Sequence, residues 1–251
     1  MSLVKICGLN TSEAALCAAE AGADLLGFIF VKKSKRYVSP EDATKIVQEV
    51  DKWISEKKLP RATLSFPADS AEIKDSSSWF KSKSDSLLKV IKPLKGRVAP
   101  LKVGVFMNHT AEEMNKIVKE VKLDLIQLHG DEPNDIITKL CKPAIRVVHV
   151  DSNSTIESLQ QNVKPGYAPF LMLDSKGGGT GKTFDWSLAA KFGKMYPFLL
   201  AGGLDPSNVE EALARVSPLG VDVCGGVEKT KGTKDLSKIK CFVKLAKDKE
   251  G

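Results

Sequence analysis

Short apolar runs alternate with amphipathic stretches along most of this chain, the pattern of buried strands separated by helices. Leu3-Val4-Lys5-Ile6 leads into a glycine turn. Asn10-Thr11-Ser12-Glu13 has the form of a capping box, and the alanine-rich helix over 14–21 is stopped by Gly22. Leu25-Leu26-Gly27-Phe28-Ile29-Phe30 is apolar on both faces, as parallel strands tend to be. Ser39-Pro40-Glu41-Asp42 opens a helix with proline at its first position and acids in its first turn. Beyond residue 99 the alternation resumes, with strands predicted at 103–106, 125–128, 145–148, 170–173, 198–201 and 221–223. Between them, helices are predicted from the Thr110-Ala111-Glu112-Glu113 capping box, over 133–140, over 152–161 with Ser152 or Ser154 as cap, from Asp185, from Asp205, and over 236–247. Eight strand–helix units in about 200 residues predict an α/β fold, a single closed (β/α)8 TIM barrel. A doubly wound open sheet is the second architecture that this alternation allows.

One segment breaks the rhythm. From about 55 to 99 the chain is rich in Ser and Lys and poor in periodicity, which reads as a mobile insertion between the second helix and the third strand. Trp79, Phe80, Leu87 and Leu88 suggest a short helix within it. Residues 51–100 hold 11 basic and 6 acidic side chains, so most of the chain's +7 net charge sits there and says little about the rest. Being on a helix-to-strand connection, the insertion is expected at the bottom of the barrel, away from the site.

Composition narrows the function classes. Aromatics are 6% and no basic run is interleaved with them, which argues against nucleic acid and leaves small anions as the milder partner. The five cysteines are scattered and odd in number, with no Cys-x-x-Cys pair, and the three histidines have no metal-ligand spacing. Neither a signal-peptide pattern nor an apolar run near the ~20 residues of a membrane span is present, so a soluble cytoplasmic protein with no membrane partner is expected.

In such a barrel the carboxyl ends of the strands face one mouth. Collected there are Cys7, the basic loop with Arg36, Asn108, His129, Asp174, Gly202-Gly203 and Cys224-Gly225-Gly226. The two glycine groups follow strands seven and eight, where barrels hold phosphate on backbone N–H groups. On its own, Cys7 reads as a buried, inert thiol, Arg36 as one more solvated charge, and His129 as a hydrogen-bonded rim residue; their common address changes the reading. An arginine beside the mouth could clamp a carboxylate in two-pronged fashion. Lys5 and Asp222, within their strands, are expected to pair inside the barrel. Gly181-Lys182-Thr183 ends like a nucleotide-binding loop, but Lys176 stands where that motif needs its first glycine and the helix starts only at Asp185.

Taken together, Lys5-Ile6-Cys7-Gly8, Ser34-Lys35-Arg36-Tyr37, Gln127-Leu128-His129-Gly130, Leu173-Asp174, the stretch Gly178-Gly179-Thr180-Gly181-Lys182-Thr183-Phe184-Asp185-Trp186, Gly202-Gly203-Leu204 and Val221-Asp222-Val223 resemble the phosphoribosylanthranilate isomerases of tryptophan biosynthesis. The resemblance covers essentially the whole chain outside the insertion. It implies an Amadori rearrangement of a phosphosugar by general acid–base catalysis, with no metal or redox cofactor. It implies Cys7 as general base and Asp174 as general acid, Arg36 on the anthranilate carboxylate and His129 on the substrate. The phosphate would lie at Gly202, Gly203, Cys224 and Gly225. Cys224 departs from the serine usual there. The chain is expected as a monomer or a homodimer. A histidine-pathway Amadori isomerase is the related alternative, disfavoured because that family has Asp where Cys7 stands. A non-catalytic barrel that binds a phosphate ligand is the alternative from another class.

Overall fold

The computed structural model describes residues 2–62, 64, 75–91, 97–175 and 185–248. Eight parallel strands close in sequence order: β1 (Leu3–Ile6), β2 (Leu25–Ile29), β3 (Leu101–Phe106), β4 (Leu125–Leu128), β5 (Ala144–Val150), β6 (Phe170–Ser175), β7 (Phe198–Leu200) and β8 (Gly220–Val223). The ring is shut by β8 on β1, in register Lys5 with Asp222 and Ile6 with Val223. The open-sheet alternative is thereby excluded.

Residues two apart on a strand share a face, and the apolar side chains sort accordingly. Leu3, Leu25, Leu101, Leu125, Ile145, Phe170 and Leu199 form one buried cluster inside the lower barrel, continued upward by Val103, Val147 and Met172. The outward-facing residues, such as Val4, Ile6, Leu26, Phe28, Ile126 and Leu173, pack against the surrounding helices.

The predicted caps explain most helix starts. Ahead of α1 (Ser12–Ala21) the cap is Thr11, which accepts from Ala14 N, one residue after the Asn10 on which the predicted capping box starts; Asn10 Nδ2 donates instead to the Gly232 carbonyl, and Gly22 ends the helix at φ +107°. Ser39 caps α2 (Pro40–Glu56), and the Thr110–Glu113 capping box is complete ahead of α4 (Ala111–Val121). Asp185 caps α6 (Trp186–Gly193) through Ser187 N, and α8 spans Leu236–Lys247 as expected. Three starts differ. The helix expected over 133–140 is a six-residue 3-10 helix, Asn134–Lys139, none of whose residues is buried. α5 is only Ile156–Gln161, capped by Thr155, because Ser154 is spent on a turn with Asp151. α7 (Val209–Val216) begins after Asn208, whose side chain accepts from Asp205 N and donates to the Gly203 carbonyl. That helix is therefore tied to the Gly202-Gly203 turn.

The expectation of mobility covers all of 55–99; within it, residues 63, 65–74 and 92–96 lie outside the described residues. The suggested helix is present and longer than its four markers imply: α3, Ser76–Ile91. Its Leu87 and Ile91 belong to the cluster that fills the lower barrel. Phe80 packs edge-on against Tyr196 at 5.7 Å, and Ser77 Oγ donates to the Met195 carbonyl at 2.5 Å. α3 thus seals the bottom of the barrel. The segment's ends are joined where Ala99 N donates to the Pro60 carbonyl. No helix among the described residues is long and apolar enough to cross a membrane.

Candidate active site

Above the apolar floor, the inward positions of the strands turn polar. Lys5 and Asp222 meet at 2.7 Å with Lys5 fully buried. Burial opposes the Lys5 charge, but the Asp222 carboxylate outweighs it and holds the lysine protonated, above its ordinary value. One position further along each inward face come Cys7, His129, His149, Asp174 and Cys224. They line a cavity of about 550 Å³ at the carboxyl ends of the strands, with Arg36 on its rim and Ile29, Val31, Val105 and Met107 as an apolar wall. A second recess of about 50 Å³ lies between Gly202-Gly203 and Cys224-Gly225-Gly226. Asp174, Asp222 and Cys224 line both, so the two spaces are contiguous. All eight residues to which the resemblance gives a role line one space or the other.

The recess depends on missing side chains. Gly202 is at φ +85°, and a Cβ there would lie 2.8 Å from Ser175 N and 3.0 Å from Asp174 Oδ1. A side chain would be strained at that backbone angle and would fill the space facing Asp174. The glycine-rich stretch over 176–184, which follows β6 in sequence, lies outside the described residues.

Two ionisable groups are shifted toward each other's range. The Cys7 thiol is lowered to about 7, chiefly by a hydrogen bond from Cys224, against burial and with help from the Lys5 charge. Cys224 correspondingly keeps its proton, raised well above a free thiol because it donates to Cys7 and is buried. Asp174 is raised to about 6, first by burial and then by the Asp222 charge. A thiol able to ionise and a carboxyl able to hold its proton therefore face one cavity near neutrality.

The histidines are held by their neighbours. His129 is pushed down to about 4 by burial, with the His149 ring and Lys5 adding to it, so it is neutral. Gln127 Nε2 lies 3.3 Å from His129 Nδ1, which places the imidazole proton on Nε2. That nitrogen is 3.7 Å from Asp174 Oδ2, too long for a hydrogen bond. His149 Nε2 donates to the His129 carbonyl at 3.0 Å, and its buried Nδ1 has no partner among the described residues.

Arg36 differs from a guanidinium waiting with its whole fork open. Its Nε and Nη2 grip Glu228 at 2.6 and 2.9 Å, and Lys234 Nζ approaches the same carboxylate at 3.3 Å. The Glu228 contact is the main reason the Arg36 charge is held more firmly than usual. A guanidinium gripped side-on still offers its end-on N–H groups.

Sequence reasoning missed Glu228, Lys234, His149, Gln127 and Glu132. Glu132 accepts from Asn108 N at 2.7 Å and Gly130 N at 3.1 Å, so it clamps the loops after β3 and β4 beside His129. Gln127 and His149 could have been found from strand parity, since each lies two residues from another inward position. Glu228 has no such signal, because its partner lies 192 residues away.

A family model described as N-(5'phosphoribosyl)anthranilate (PRA) isomerase matches residues 61–245. An N-(5'-phosphoribosyl)anthranilate isomerase of Wickerhamomyces anomalus is 40% identical, over 97% of this chain and 99% of its own length. The tryptophan biosynthesis protein TRP1 of Phytophthora nicotianae is 41% identical over 98% of this chain, which spans only 47% of that longer protein. The chain covers about a third of two further multifunctional tryptophan biosynthesis relatives. Among solved structures, a phosphoribosyl anthranilate isomerase in complex with reduced 1-(o-carboxyphenylamino)-1-deoxyribulose 5-phosphate superposes with a TM-score of 0.70 at 32% identity, covering 98% of this chain and 99% of the other. By its matched length, its relatives and its barrel, this chain belongs to the N-(5'-phosphoribosyl)anthranilate isomerase family.

Proposed function

We propose that the chain catalyses the Amadori rearrangement of N-(5-phosphoribosyl)anthranilate to 1-(2-carboxyphenylamino)-1-deoxyribulose 5-phosphate, with Asp174 as general acid and Cys7 as general base. The observation that carries this reading is the pairing of a carboxyl raised to about 6 with a thiol lowered to about 7 on one cavity. Asp174 delivers its proton to the ribose ring oxygen as the ring opens to an iminium. The Cys7 thiolate then takes the proton from carbon 2, and the resulting enolamine relaxes to the ketone. Both proton transfers are local, and the charge on the opening sugar is met by groups already fixed in place.

The remaining residues bind. The 50 Å³ recess suits a phosphate, held on the backbone N–H groups around Gly202, Gly203, Cys224 and Gly225. The end-on side of Arg36 takes the anthranilate carboxylate, and the apolar wall of Ile29, Val31, Val105 and Met107 takes the aromatic ring. Neutral His129 donates its Nε2 proton to the substrate.

The test is turnover of phosphoribosylanthranilate by the purified chain. Product formation, lost in Cys7→Ser and in Asp174→Asn, supports the reading. Binding of the substrate without conversion would instead support a non-catalytic phosphate-ligand barrel. Conversion of only the histidine-pathway aminoimidazole substrate would move the chain to that Amadori isomerase.

A further inference from the structure

Both polar atoms of the peptide that follows His129 are held by side chains. The His129 carbonyl accepts from His149 Nε2 at 3.0 Å, and the Gly130 N–H donates to Glu132 Oε2 at 3.1 Å. The N–H of His129 itself donates to the Phe106 carbonyl at 2.9 Å. Side-chain rotamers follow backbone angles, so a backbone pinned at these three points aims the imidazole.

Glu132 is itself fixed. Its side chain is only 1% exposed, with Arg146 Nη1 3.4 Å from Oε2 and Oε1 accepting from Asn108 N at 2.7 Å. Asn108 stands at φ +57°, a left-handed angle uncommon outside glycine, and its Oδ1 accepts from Asp131 N at 2.9 Å. The loops after β3 and β4 come this close because position 130 is glycine: a Cβ there would lie 2.9 Å from Asn108 Cγ and 3.0 Å from Asn108 N. One buried carboxylate thus joins the ends of two strands, and Met107, Asn108, His129 and Gly130 of the joined piece line the large cavity.

We propose that Glu132 is a positioning residue for the reaction, acting through His129: it holds the His129–Gly130 peptide so that the imidazole faces the bound substrate. The proposal rests on the reading that His129 contacts the substrate. The hydrogen-bond geometry shows why a carboxylate is needed. Asn108 N and Gly130 N approach different oxygens of Glu132, and both oxygens of a carboxylate accept. An amide has one accepting oxygen, and its NH2 would set donor against donor at the other position. Glu132→Gln therefore keeps the volume and loses one tether. A buried N–H without a partner is costly, so the loop shifts to find one and carries the His129 ring with it. The contact weakened is the one between the imidazole and the ligand, made in ground and transition states alike.

The experiment compares the parent, Glu132→Gln, His129→Ala and the double variant. It measures KM and kcat for phosphoribosylanthranilate, and Kd for the product 1-(2-carboxyphenylamino)-1-deoxyribulose 5-phosphate by fluorescence titration. Glu132→Gln is expected to raise KM and Kd by about tenfold and to leave kcat within about threefold. In the His129→Ala background the same substitution is expected to add less than about twofold, because two residues acting through one contact are not additive. Glu132→Gln also leaves Arg146 buried without its carboxylate, and Arg146 Nε and Nη2 have no other partner among the described residues. Glu132→Gln/Arg146→Met removes that charge as well and should show the same rise in KM. An active parent whose Glu132 variants melt lower but keep the parental KM and Kd overturns the proposal and leaves Glu132 to stability. Effects that multiply in the double variant with His129→Ala overturn it too, since Glu132 would then act elsewhere. A parent that neither converts the substrate nor binds the product overturns the functional reading itself, and this role falls with it.

Discussion

Arg36 and Glu228, 192 residues apart, meet fork to fork: Nε to Oε1 at 2.6 Å and Nη2 to Oε2 at 2.9 Å, with both side chains about nine-tenths buried. The pair joins the loop after β2 to the chain just beyond β8, across the seam where the barrel closes. Glu228 therefore aims the guanidinium at the mouth and removes one edge of it from competition for a ligand.

That geometry separates binding from chemistry. Arg36→Met is expected to raise KM by about 10- to 100-fold with a small change in kcat, because a charge-assisted contact to the carboxylate acts in ground and transition states alike and is worth roughly 1.5–3 kcal/mol. Glu228→Gln should raise KM less, since the guanidinium remains but loses its aim. A collapse of kcat at constant KM in Arg36→Met would assign Arg36 to the chemistry.

Cys7→Ser and Asp174→Asn should each lower kcat by about 10²- to 10⁴-fold with little change in KM. A serine hydroxyl holds its proton far more tightly than a thiol, and an asparagine has none to give. The double variant should be scarcely worse than the poorer single, because both groups serve one reaction path. A Cys7→Ala enzyme with near-normal kcat would return Cys7 to the core.

The pH profile of kcat/KM should be bell-shaped with a maximum near pH 6.5. Cys7, near 7, must be deprotonated and Asp174, near 6, must be protonated, so the active form is a minority species between the two values. A broad plateau from pH 6 to 9 would contradict that pairing.

Asp174 should also weigh on stability in one direction. Its folded-state value, raised from 3.8 to about 6, means that the folded protein binds this proton more tightly than the unfolded chain does. The contribution is present below about pH 4 and is lost as pH rises through 6, at most about 3 kcal/mol. Asp174→Asn is therefore expected to melt several degrees higher than the parent at pH 8 and to gain nothing at pH 4. Equal melting shifts at both pH values would remove this account.

The bottom seal should matter to stability alone. Leu87→Ala or Ile91→Ala deletes a side chain from the lower-barrel cluster and is expected to cost about 2–5 kcal/mol by chemical denaturation. At 25 °C, kcat/KM of the folded variants should stay within a few-fold, since α3 lies at the end of the barrel opposite Cys7 and Asp174. A large loss of turnover in a folded variant would show that the seal reaches the site.

The strand–helix rhythm, the helix caps at Ser39, Thr110 and Asp185, and the strand-end addresses of Cys7, His129, Asp174 and the two glycine groups were all legible in the amino-acid sequence. They rest on local physics: side-chain period, capping hydrogen bonds and backbone angles open to glycine. The short α5 and the 3-10 turn at Asn134–Lys139 were misread because several polar residues there could cap or turn equally well, and local preference does not choose between them. The lower-barrel seal was half legible. Its aromatic and leucine markers were visible among the serines, but their burial needed the open barrel end to pack against.

What only the tertiary structure decided are the pairs made by closing the ring. Lys5 with Asp222, Cys7 with Cys224 and Arg36 with Glu228 all span the chain's two ends. Their partners are fixed by the β1–β8 register and by which side chains share one low-dielectric space. A charge or thiol acquires its protonation state from such neighbours, and neighbours about 190 to 220 residues away leave no trace in local sequence. The sequence alone placed Cys7 and Asp174 at strand ends on one mouth; the closed barrel supplied the surroundings that set their protons.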